Sequence, residues 1–291
     1  MTKVPPITAS LVSDLITQQF PEYRYLPIQA VEPGGNDNRT FRLGDTLSVR
    51  LPSAAGYATQ VQKEQDWLPK LAPHISIQIP KPIAMGKPSD LYPWHWSIYH
   101  WIDGETVEIT NKRHLSSLAK DFVQFLTELH TIDPTDGPMG GPHNYYRGAP
   151  LSTYDKDTRF YIEELKDIID SKRTLELWEE AIVSRWRGKP VWVHGDMAKG
   201  NFLIQNRTLS AVIDFGCIGI GDPACDLVIA WTILDKESRA IFQKSLPLDP
   251  QTWTRAKGWA LWKALFELYS CGDKSSPKAI ENIQLIQTIL A

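Results

Sequence analysis

The 291-residue sequence predicts an α+β fold of two lobes. In the first hundred positions, short β-favouring runs alternate with turn residues, which indicates an antiparallel sheet accompanied by one packed helix. Beyond Gly104, long apolar patterns at spacings of three and four indicate helices. Asp103 and Gly104 end an aromatic, strand-like run between the two regions. We therefore predict an N-terminal sheet lobe over residues 1–102 and a mainly helical C-terminal lobe over residues 103–291.

A short helix and several strands account for most of the N-terminal lobe. Thr8 or Ser10 is placed to cap a helix over Leu11–Gln19, which Pro21 stops. Residues 33–38, a run of Pro, Gly, Asn and Asp, tolerate tight backbone turns and connect the first two strands. The strand-like runs, which are rich in β-branched and aromatic residues, cover 26–31, 40–43, 46–51, 75–84 and 94–102.

The helix predicted after Pro52 has a single acidic residue on an apolar face. Val61, Glu64, Leu68 and Leu71 recur at spacings of three and four, so their side chains share one side of the helix. Glu64 is therefore a candidate functional residue, and a solvated helix residue is the alternative interpretation.

The C-terminal lobe is predicted to be helical apart from a few short strands. Its first helix, His114–His130, has apolar residues at helical spacing and is closed by an Asp-Pro pair. A Gly- and Pro-rich loop over residues 137–150 follows. The other predicted elements are two charged helical stretches within Tyr154–Trp186, a strand over Val191–Val193, a hairpin of Phe202–Gln205 and Ala211–Phe215, and a helix over Trp253–Tyr269.

Composition and charge argue against several classes of protein. The 31 basic and 34 acidic residues leave no basic surplus that would attract a nucleic-acid backbone. Cys217, Cys225 and Cys271 are odd in number and lack a C-x-x-C spacing, so we expect thiols instead of disulfides or a zinc site. A signal-peptide pattern and an apolar run of about 18 residues are both missing. We expect a cytoplasmic protein without membrane or nucleic-acid partners; the sequence is silent on its oligomeric state.

Two short motifs in the second half of the chain contain residues suited to phosphoryl transfer. Asn201 follows the HGD triplet that ends at Asp196 by five residues, and a DFG triplet begins at Asp214, eighteen residues after Asp196. Phosphoryl transfer requires metal ions that bridge the phosphates and a carboxylate that orients the attacking hydroxyl. Because Mg²⁺ prefers oxygen ligands, Asn201 and Asp214 are candidate metal ligands, which leaves Asp196 as the candidate base.

This pattern resembles the catalytic loop and metal-binding triplet of protein kinases. The run VHGDMAKGNFLI, followed by VIDFGCIGIGDPACDL, is similar to the aminoglycoside phosphotransferase family, whose members have glycine where protein kinases have arginine in the first triplet. The resemblance extends more weakly over nearly the whole chain. It implies a bilobal, protein-kinase-like fold and an enzyme that phosphorylates a hydroxyl of a small molecule, with ATP as donor, GTP as an alternative donor, and Mg²⁺.

The resemblance also implies roles for individual residues. Asp196 is the catalytic base, Asn201 and Asp214 hold Mg²⁺, and an Arg50–Glu64 ion pair positions the α- and β-phosphates. Lysine is usual at the position of Arg50, and arginine keeps the charge but presents a planar fork. We therefore expect the phosphate contact of Arg50 to differ from that of its relatives.

Two further segments are implied to bind the nucleotide. The loop over residues 33–38 lacks the G-x-G-x-x-G of protein kinases, although the resembling family also uses a loop rich in Gly, Asn and Ser here. The main chain at the end of the last N-terminal strand is implied to meet the adenine edge. The candidate residues in these segments are Gly34, Gly35, Asn36, Asn38, His100, Trp101 and Ile102.

Several nearby residues have structural explanations that we prefer. We expect His194 to hydrogen-bond main chain or the metal-site aspartate, and Asp226 to pair within the core. Asp222 is expected to be an N-cap, with a substrate contact as the alternative. The glycines at 216, 219 and 221 lack the Lys-Ser/Thr of a P-loop and are expected to shape the segment after Asp214. The aromatic face of the last predicted helix is interpreted as core: Trp259, Trp262, Phe266 and Tyr269.

The charge pattern of Tyr154–Glu180 favours a cationic acceptor. Nine acidic residues occur there against five basic ones, which would attract ammonium groups, although solvated helix faces explain the pattern equally. An aminoglycoside is the first expectation, and relatives with the same loops phosphorylate macrolides, choline, homoserine or sugar amines. The substrate candidates are Asp155, Asp157, Glu163 and Glu267.

A second hypothesis is a kinase-like module that binds nucleotide without turnover, which Arg50 and the unusual phosphate loop would favour. A protein kinase is a weaker alternative. The pair Asp222-Pro223 follows the DFG triplet almost at once, which leaves no long loop for a peptide substrate, and an Ala-Pro-Glu motif is missing.

Overall fold

A computed structural model describes residues 6–32, 34–35, 37–106 and 114–291. The chain divides into two compact units. The N-terminal unit comprises residues 1–105, 203–205 and 210–216, and the C-terminal unit comprises residues 106–202, 206–209 and 217–291. Asp214 therefore belongs to the N-terminal unit, whereas Asp196 and Asn201 belong to the C-terminal unit.

A five-stranded antiparallel sheet forms the centre of the N-terminal unit. Its elements are α1 (Ala9–Gln19), β1 (Ile28–Ala30), β2 (Asn38–Leu43), β3 (Leu47–Pro52), α2 (Ala55–Leu71), β4 (Pro82–Gly86) and β5 (Trp96–His100). The strand order is β1-β2-β3-β5-β4. Arg50 of β3 pairs with Thr40 of β2 and Ser97 of β5, so it occupies the central strand of the sheet.

Local signals explain where these elements begin and which faces they bury. The Thr8 side chain accepts a hydrogen bond from the Leu11 amide and so caps α1. The predicted apolar face of α2 is buried, and Glu64 lies within it at 4% exposure. The alternative of a solvated helix residue at Glu64 is therefore wrong. Apolar side chains of α1 and the sheet form one core cluster: Val12, Leu15, Ile16, Phe41, Leu43, Val49, Leu51, Trp96 and Ile98.

The C-terminal unit is mainly helical, as predicted. Its helices are α3 (Leu115–Thr131), α4 (Asp155–Glu164), α5 (Ser171–Val183), α6 (Ile229–Thr232), α7 (Lys236–Ser245), α8 (Pro250–Ser270) and α9 (Pro277–Leu290). The remaining strands of the chain are β6 (Glu105–Thr106), β7 (Val191–Val193), β8 (Phe202–Gln205), β9 (Thr208–Val212) and β10 (Gly219–Gly221). Strands β7 and β10 belong to the C-terminal unit and pair antiparallel, whereas most of β8 and β9 belongs to the N-terminal unit. Helix α8 packs against α5 and α9.

Three local details differ from the sequence prediction. The strand predicted from residue 75 begins only at Pro82, since nearby prolines lack the amide that a ladder needs. The second strand of the predicted hairpin ends at Val212, before Asp214. Helices α6, α7 and α9 were not predicted; α9 is capped by Ser276 and begins at Pro277.

None of the helices in the described ranges has the length and apolar character needed to cross a bilayer.

Candidate active site

In the N-terminal unit, one guanidinium binds two carboxylates. Arg50 Nη2 lies 3.0 Å from Asp214 Oδ1, and Arg50 Nη1 lies 3.4 Å from Glu64 Oε1. The Tyr99 hydroxyl donates a 2.6 Å hydrogen bond to Glu64 Oε2. Strands β3 and β5, helix α2 and the segment after β9 each contribute one of these four side chains. With two carboxylates to one cation, the cluster has a formal surplus of negative charge.

Burial controls the protonation of this cluster. Burial raises the pKa of Glu64 above its usual value, while the Arg50 charge opposes that rise and the Asp214 charge adds to it. Burial alone would lower the pKa of Arg50, but the charges of Asp214 and Glu64 outweigh it, so the guanidinium stays protonated. Burial and the charge of Glu64 also hold the pKa of Tyr99 well above its ordinary value, which keeps the phenol a hydrogen-bond donor.

Asp214 has a backbone conformation that few residues other than glycine adopt. Its φ of 64° lies in the left-handed region. Its side chain is 34% exposed, and its Oδ2 has no partner among the described residues. Strained backbone of this kind persists where the surrounding structure requires it and is frequent at functional sites. One oxygen of Asp214 is thus held by Arg50, and the other is available to a ligand.

In the C-terminal unit, a buried carboxylate anchors the loop that carries Asp196. Asp226 accepts hydrogen bonds from the amides of His194, at 2.6 Å, and Gly195, at 2.8 Å. Gly195 has a φ of 83°, and a Cβ there would lie 2.4 Å from the Cys217 carbonyl oxygen, so glycine is required. The buried His194 ring accepts a 3.2 Å hydrogen bond from the Asp196 amide. The predictions that His194 binds main chain and that Asp226 pairs in the core are confirmed.

Both oxygens of the Asp196 carboxylate have polar partners. Lys263 Nζ of α8 lies 3.0 Å from Oδ1, and Asn201 Nδ2 donates to Oδ2 at 3.0 Å and to the Asp196 carbonyl at 2.8 Å. Burial raises the pKa of Asp196, but the Lys263 charge, with smaller contributions from His194 and Arg147, brings it below the ordinary value of 3.8. The carboxylate is therefore ionised at neutral pH.

The amide of Asn201 offers an oxygen ligand. Its nitrogen is used by Asp196, whereas its Oδ1 accepts no hydrogen bond from any residue that the structure describes. A carbonyl oxygen without a protein donor is the kind of ligand that a hard cation such as Mg²⁺ accepts. Asn201 and Asp214, each considered within its own unit, therefore have the donor atoms that a magnesium site needs.

A small pocket, a depression open to solvent, lies beside Asp196. Lys263, Arg147, Trp259 and Trp262 are among its lining residues. The Arg147 guanidinium carbon lies 4.7 Å from the ring centre of Trp262 and 5.4 Å from that of Trp259. The pocket thus combines one carboxylate, two cations and two indole rings.

The aromatic face of α8 is only partly core. Trp259 and Trp262 are buried as predicted, but Phe266 and Tyr269 are 45% and 38% exposed, so the core interpretation of these two is wrong. Both rings contact Tyr161 of α4 in tilted arrangements, with ring centres 6.1 and 5.1 Å apart.

The described residues of the predicted phosphate loop lie at the start of β2. Gly34 and Gly35 are exposed, and the Gly34 amide donates to Glu32 Oε2 at 3.2 Å. Asn38 is buried and pairs with Pro52 of β3. Asn36 lies outside the described residues.

In the predicted adenine-binding segment, His100 to Ile102, the last residue has a main-chain amide and carbonyl without protein partners among the described residues. The amides of His100 and Trp101 donate to carbonyls of Lys81 and Thr46, at 3.0 and 2.8 Å. The amide and carbonyl of Ile102 make no hydrogen bond to any part of the chain that the structure describes. Of the three candidates, Ile102 is the one whose donor and acceptor are both available to a base.

The predicted substrate carboxylates do not line the Asp196 pocket. Asp155 pairs with Arg159 at 2.8 Å and accepts a hydrogen bond from the Trp178 indole. Glu163 pairs with Lys166 and Glu267 with Lys278, whereas Asp157 is exposed on α4. The nearest charges of three of these four carboxylates are therefore cations of the protein itself.

Several residues of the site were not found from the sequence. Lys263 interrupts the aromatic face of α8 between Trp262 and Phe266, the same signal of one charge on an apolar face that marks Glu64. Arg147 lies in a loop and Tyr99 in an aromatic strand. The sequence around them does not show which residues they contact in the folded chain.

Asp222 is confirmed as a cap. Its carboxylate accepts from the Ala224 amide at 3.0 Å and also binds Arg255 at 2.6 Å, so that a buried ion pair accompanies the cap. At Gly221 a Cβ would lie 2.1 Å from the Gly148 carbonyl oxygen, which explains the glycine where β10 meets its neighbours.

The chain is similar to a known sequence family over most of its length. The family model described as "Phosphotransferase enzyme family" matches residues 28–283. Among curated proteins, no sequence matches the chain significantly.

Solved structures resemble the chain over nearly its whole length. The GDP complex of wild-type aminoglycoside 2'-phosphotransferase-IIIa has 17% identity and a TM-score of 0.72, covering 98% of this chain and 99% of that chain. ADP-bound APH(2'')-Ib has 20% identity and a TM-score of 0.62, covering 97% and 98%. A thermostable APH(4)-Ia mutant with ADP and hygromycin B has 16% identity and a TM-score of 0.63, covering 96% and 97%. The predicted α+β, protein-kinase-like fold is confirmed by these similarities.

Proposed function

Because the chain belongs to the phosphotransferase enzyme family, we propose that it transfers the γ-phosphoryl group of ATP to a hydroxyl of a small molecule, with Asp196 as the catalytic residue. The observation that carries the proposal is the Asp196 carboxylate, which is ionised, half-buried and bound by Asn201 and Lys263 at 3.0 Å each. A carboxylate so oriented at a pocket is what an attacking hydroxyl requires.

In the proposed reaction, Asp196 orients the acceptor and takes its proton. The acceptor hydroxyl donates a hydrogen bond to the carboxylate, and its oxygen forms a bond to the γ-phosphorus as the bond from phosphorus to the ADP oxygen breaks. The proton passes to Asp196 and then to solvent. Because the pKa of Asp196 is low, the carboxylate is a weak base, so the proton moves late and orientation is the larger contribution.

Other residues are proposed to hold the nucleotide and metal. The free oxygens of Asp214 and Asn201 would bind Mg²⁺, which would supply charge neutralisation at the phosphates. Arg50, kept protonated by two carboxylates, is proposed to meet the α- and β-phosphates with Glu64 as its partner. Ile102 supplies the main-chain groups for the adenine edge, and Gly34, Gly35, Asn36 and Asn38 remain the proposed phosphate loop.

The first acceptor class to test comes from the solved relatives. Among them are complexes with kanamycin, gentamicin, streptomycin and hygromycin B. Macrolides, choline, homoserine and sugar amines are the other acceptors implied by the resemblance. Asp155, Asp157, Glu163 and Glu267 remain the proposed contacts for a cationic acceptor.

The test measures ADP release with Mg-ATP, or Mg-GTP, and one acceptor at a time from these classes, with product mass determined by mass spectrometry. We expect at least one hydroxylated acceptor to give a product heavier by one phosphoryl group, about 80 mass units. Product formation by Asp196→Asn should be at least about a hundredfold slower. If every acceptor is silent while Mg-ATP still raises the melting temperature, the chain is a nucleotide-binding module without turnover. If Mg-ATP neither raises the melting temperature nor is consumed, the proposal is wrong.

A further inference from the structure

The pocket around Asp196 has a charge pattern that phosphoryl transfer alone does not explain. From this pattern we infer that the acceptor is a hydroxylated small molecule with a carboxylate or phosphate group, and that Arg147 binds this anionic group. The inference rests on the proposed function, because it names the acceptor class of the same site. It differs from the expectation of a polycationic aminoglycoside.

Cations outnumber carboxylates among the residues that line the pocket. Lys263 pairs with Asp196 at 3.0 Å, so these two charges compensate each other and the guanidinium of Arg147 is left in surplus. Burial raises the pKa of the Cys225 thiol, which also lines the pocket, so this group is neutral. The fully buried Asp226 accepts hydrogen bonds from two main-chain amides and is also stabilised by the Arg147 charge, but it does not line the pocket. The pocket is therefore suited to a negative group.

Arg147, which lines the pocket, has an unused hydrogen-bond donor. Its Nη1 is buried and has no hydrogen-bond partner among the described residues. An unpaired buried donor is unfavourable, and more so when it carries charge. A carboxylate or phosphate oxygen is the acceptor that a guanidinium binds most strongly, often through two parallel hydrogen bonds. A bound anion would thus accept the hydrogen bond for which Arg147 has no partner among the described residues.

The loop that carries Arg147 has a strained backbone conformation. The two preceding residues, Tyr145 and Tyr146, have φ values of 52° and 57°, in the left-handed region. Buried Asn144 fixes the loop by donating to the carbonyl of Arg147 at 3.0 Å and to that of Cys217 at 3.3 Å. Such strain persists where the surrounding contacts over-determine the conformation. The guanidinium is accordingly positioned before any ligand binds.

The indole rings of the pocket do not favour a substrate ammonium. A ring face can bind a cation within about 6 Å of its centre. One face of Trp262 and one face of Trp259 are already occupied by Arg147, at 4.7 and 5.4 Å. A substrate ammonium would have to displace the guanidinium and would be repelled by it. The rings instead offer an apolar wall for the body of the acceptor.

The test uses acceptors that differ in charge, four of which share the carbon chain of glucose, with kanamycin as a larger cationic probe. Gluconate and glucose 6-phosphate represent the carboxylate and phosphate sources of an anion, glucose is neutral, and glucosamine and kanamycin are cationic. Each is assayed for ADP release with Mg-ATP, and for a change in melting temperature with Mg-ADP, which reports binding without turnover. We expect the anionic probes to raise the melting temperature, and to be phosphorylated with a kcat/KM at least tenfold above that of glucosamine.

Variants at Arg147 assign the effect to its charge. In Arg147→Gln we expect the anionic shift in melting temperature to be lost and kcat/KM for the anionic probe to fall at least tenfold. In Arg147→Glu the preference should reverse towards the cationic probes. Arg239→Gln is the matched control, because Arg239 also has an unpaired buried nitrogen and lies over an indole ring, that of Trp231 at 6.0 Å, but does not line the pocket.

The outcomes separate this inference from the proposed function. Phosphorylation of glucosamine or kanamycin in preference to the anions would overturn the inference and leave the phosphotransfer standing. Absence of any anion-dependent shift in the wild type, or an equal loss in Arg239→Gln, would also overturn it. Failure of Mg-ATP to bind or be consumed would overturn both. If Arg147→Gln unfolds, Arg147→Lys serves instead, with weaker but retained anion binding expected.

Discussion

Two charge clusters, one in each unit, have opposite balances. In the N-terminal unit the single cation Arg50 is bound by Glu64 and Asp214, so negative charge is in excess. Among the side chains that line the pocket of the C-terminal unit, Asp196 is the single carboxylate and Lys263 and Arg147 are the cations, so positive charge is in excess. The two clusters therefore differ in the sign of their net charge. Both clusters contain cations and carboxylates, and they differ in which of the two is more numerous.

The largest expected effect comes from removing the carboxylate of the second cluster. Asp196→Asn keeps the size and the contact to Asn201 but deletes the charge, so we expect kcat to fall by about 10²–10⁴-fold. The shift in melting temperature with Mg-ATP should persist. A variant that retains more than about a tenth of wild-type kcat would show that Asp196 has no part in proton transfer.

The corresponding change in the first cluster is Asp214→Asn. Without this carboxylate the surplus of negative charge disappears, so we expect Mg²⁺-dependent turnover to fall by roughly 10²-fold, and the apparent Mg²⁺ affinity to weaken. Asp136→Asn is the control, because Asp136 has a φ of 65° and is exposed, so backbone effects of the substitution are matched. An equal loss in both variants would trace the effect to backbone conformation instead of metal binding.

A smaller effect is expected when the fork of Arg50 is replaced by an ammonium. Arg50→Lys keeps the charge but cannot reach both carboxylates with two separate nitrogens, so we expect roughly 1–3 kcal/mol less stability and a higher KM for ATP. Urea unfolding with and without Mg-ATP measures both. Arg24→Lys, at an exposed position, should change neither. A more stable Arg50→Lys variant would contradict the paired geometry.

The smallest effect concerns pH. The pKa of Asp196 is below its ordinary value although burial raises it, because Lys263 outweighs burial. Activity that needs ionised Asp196 is present above this pKa and is lost as pH falls through it. Lys263→Met removes the charge that lowers the pKa of Asp196, so burial should raise this pKa. The acidic limb of the kcat/KM profile should therefore move to higher pH. Lys257→Met on the same helix is the control, and an unmoved limb would mean that Lys263 does not set the charge state of Asp196.

Local patterns predicted most of the fold. Strand and helix periodicity located the sheet, α1, α2, α3 and α8, and the cap at Asp222 followed from its position before a proline. Helix α9 and the short helices before α8 were missed, although the capping residues Asp235 and Ser276 mark where α7 and α9 begin. Asp214 lies beyond the strand predicted to include it, since its φ of 64° cannot continue a strand.

The candidate site was also predicted only in part from the sequence. The spacing of Asp196, Asn201 and Asp214 is written in one short stretch of sequence, so it indicated phosphoryl transfer without a structure. The exposure of Phe266 and Tyr269 was wrongly predicted, because periodicity defines a face but not what covers it.

The sequence by itself determined the fold class, the family and the three residues proposed for chemistry, since these depend on local periodicity and fixed spacing. The tertiary structure alone decided which charges meet them. Lys263 is 67 residues from Asp196 along the chain, and Arg147 reaches the same pocket from a strained loop. Electrostatic interactions depend on distance in space, which a one-dimensional pattern does not contain. The acceptor expected from local acidity and the one inferred from the pocket differ for this reason.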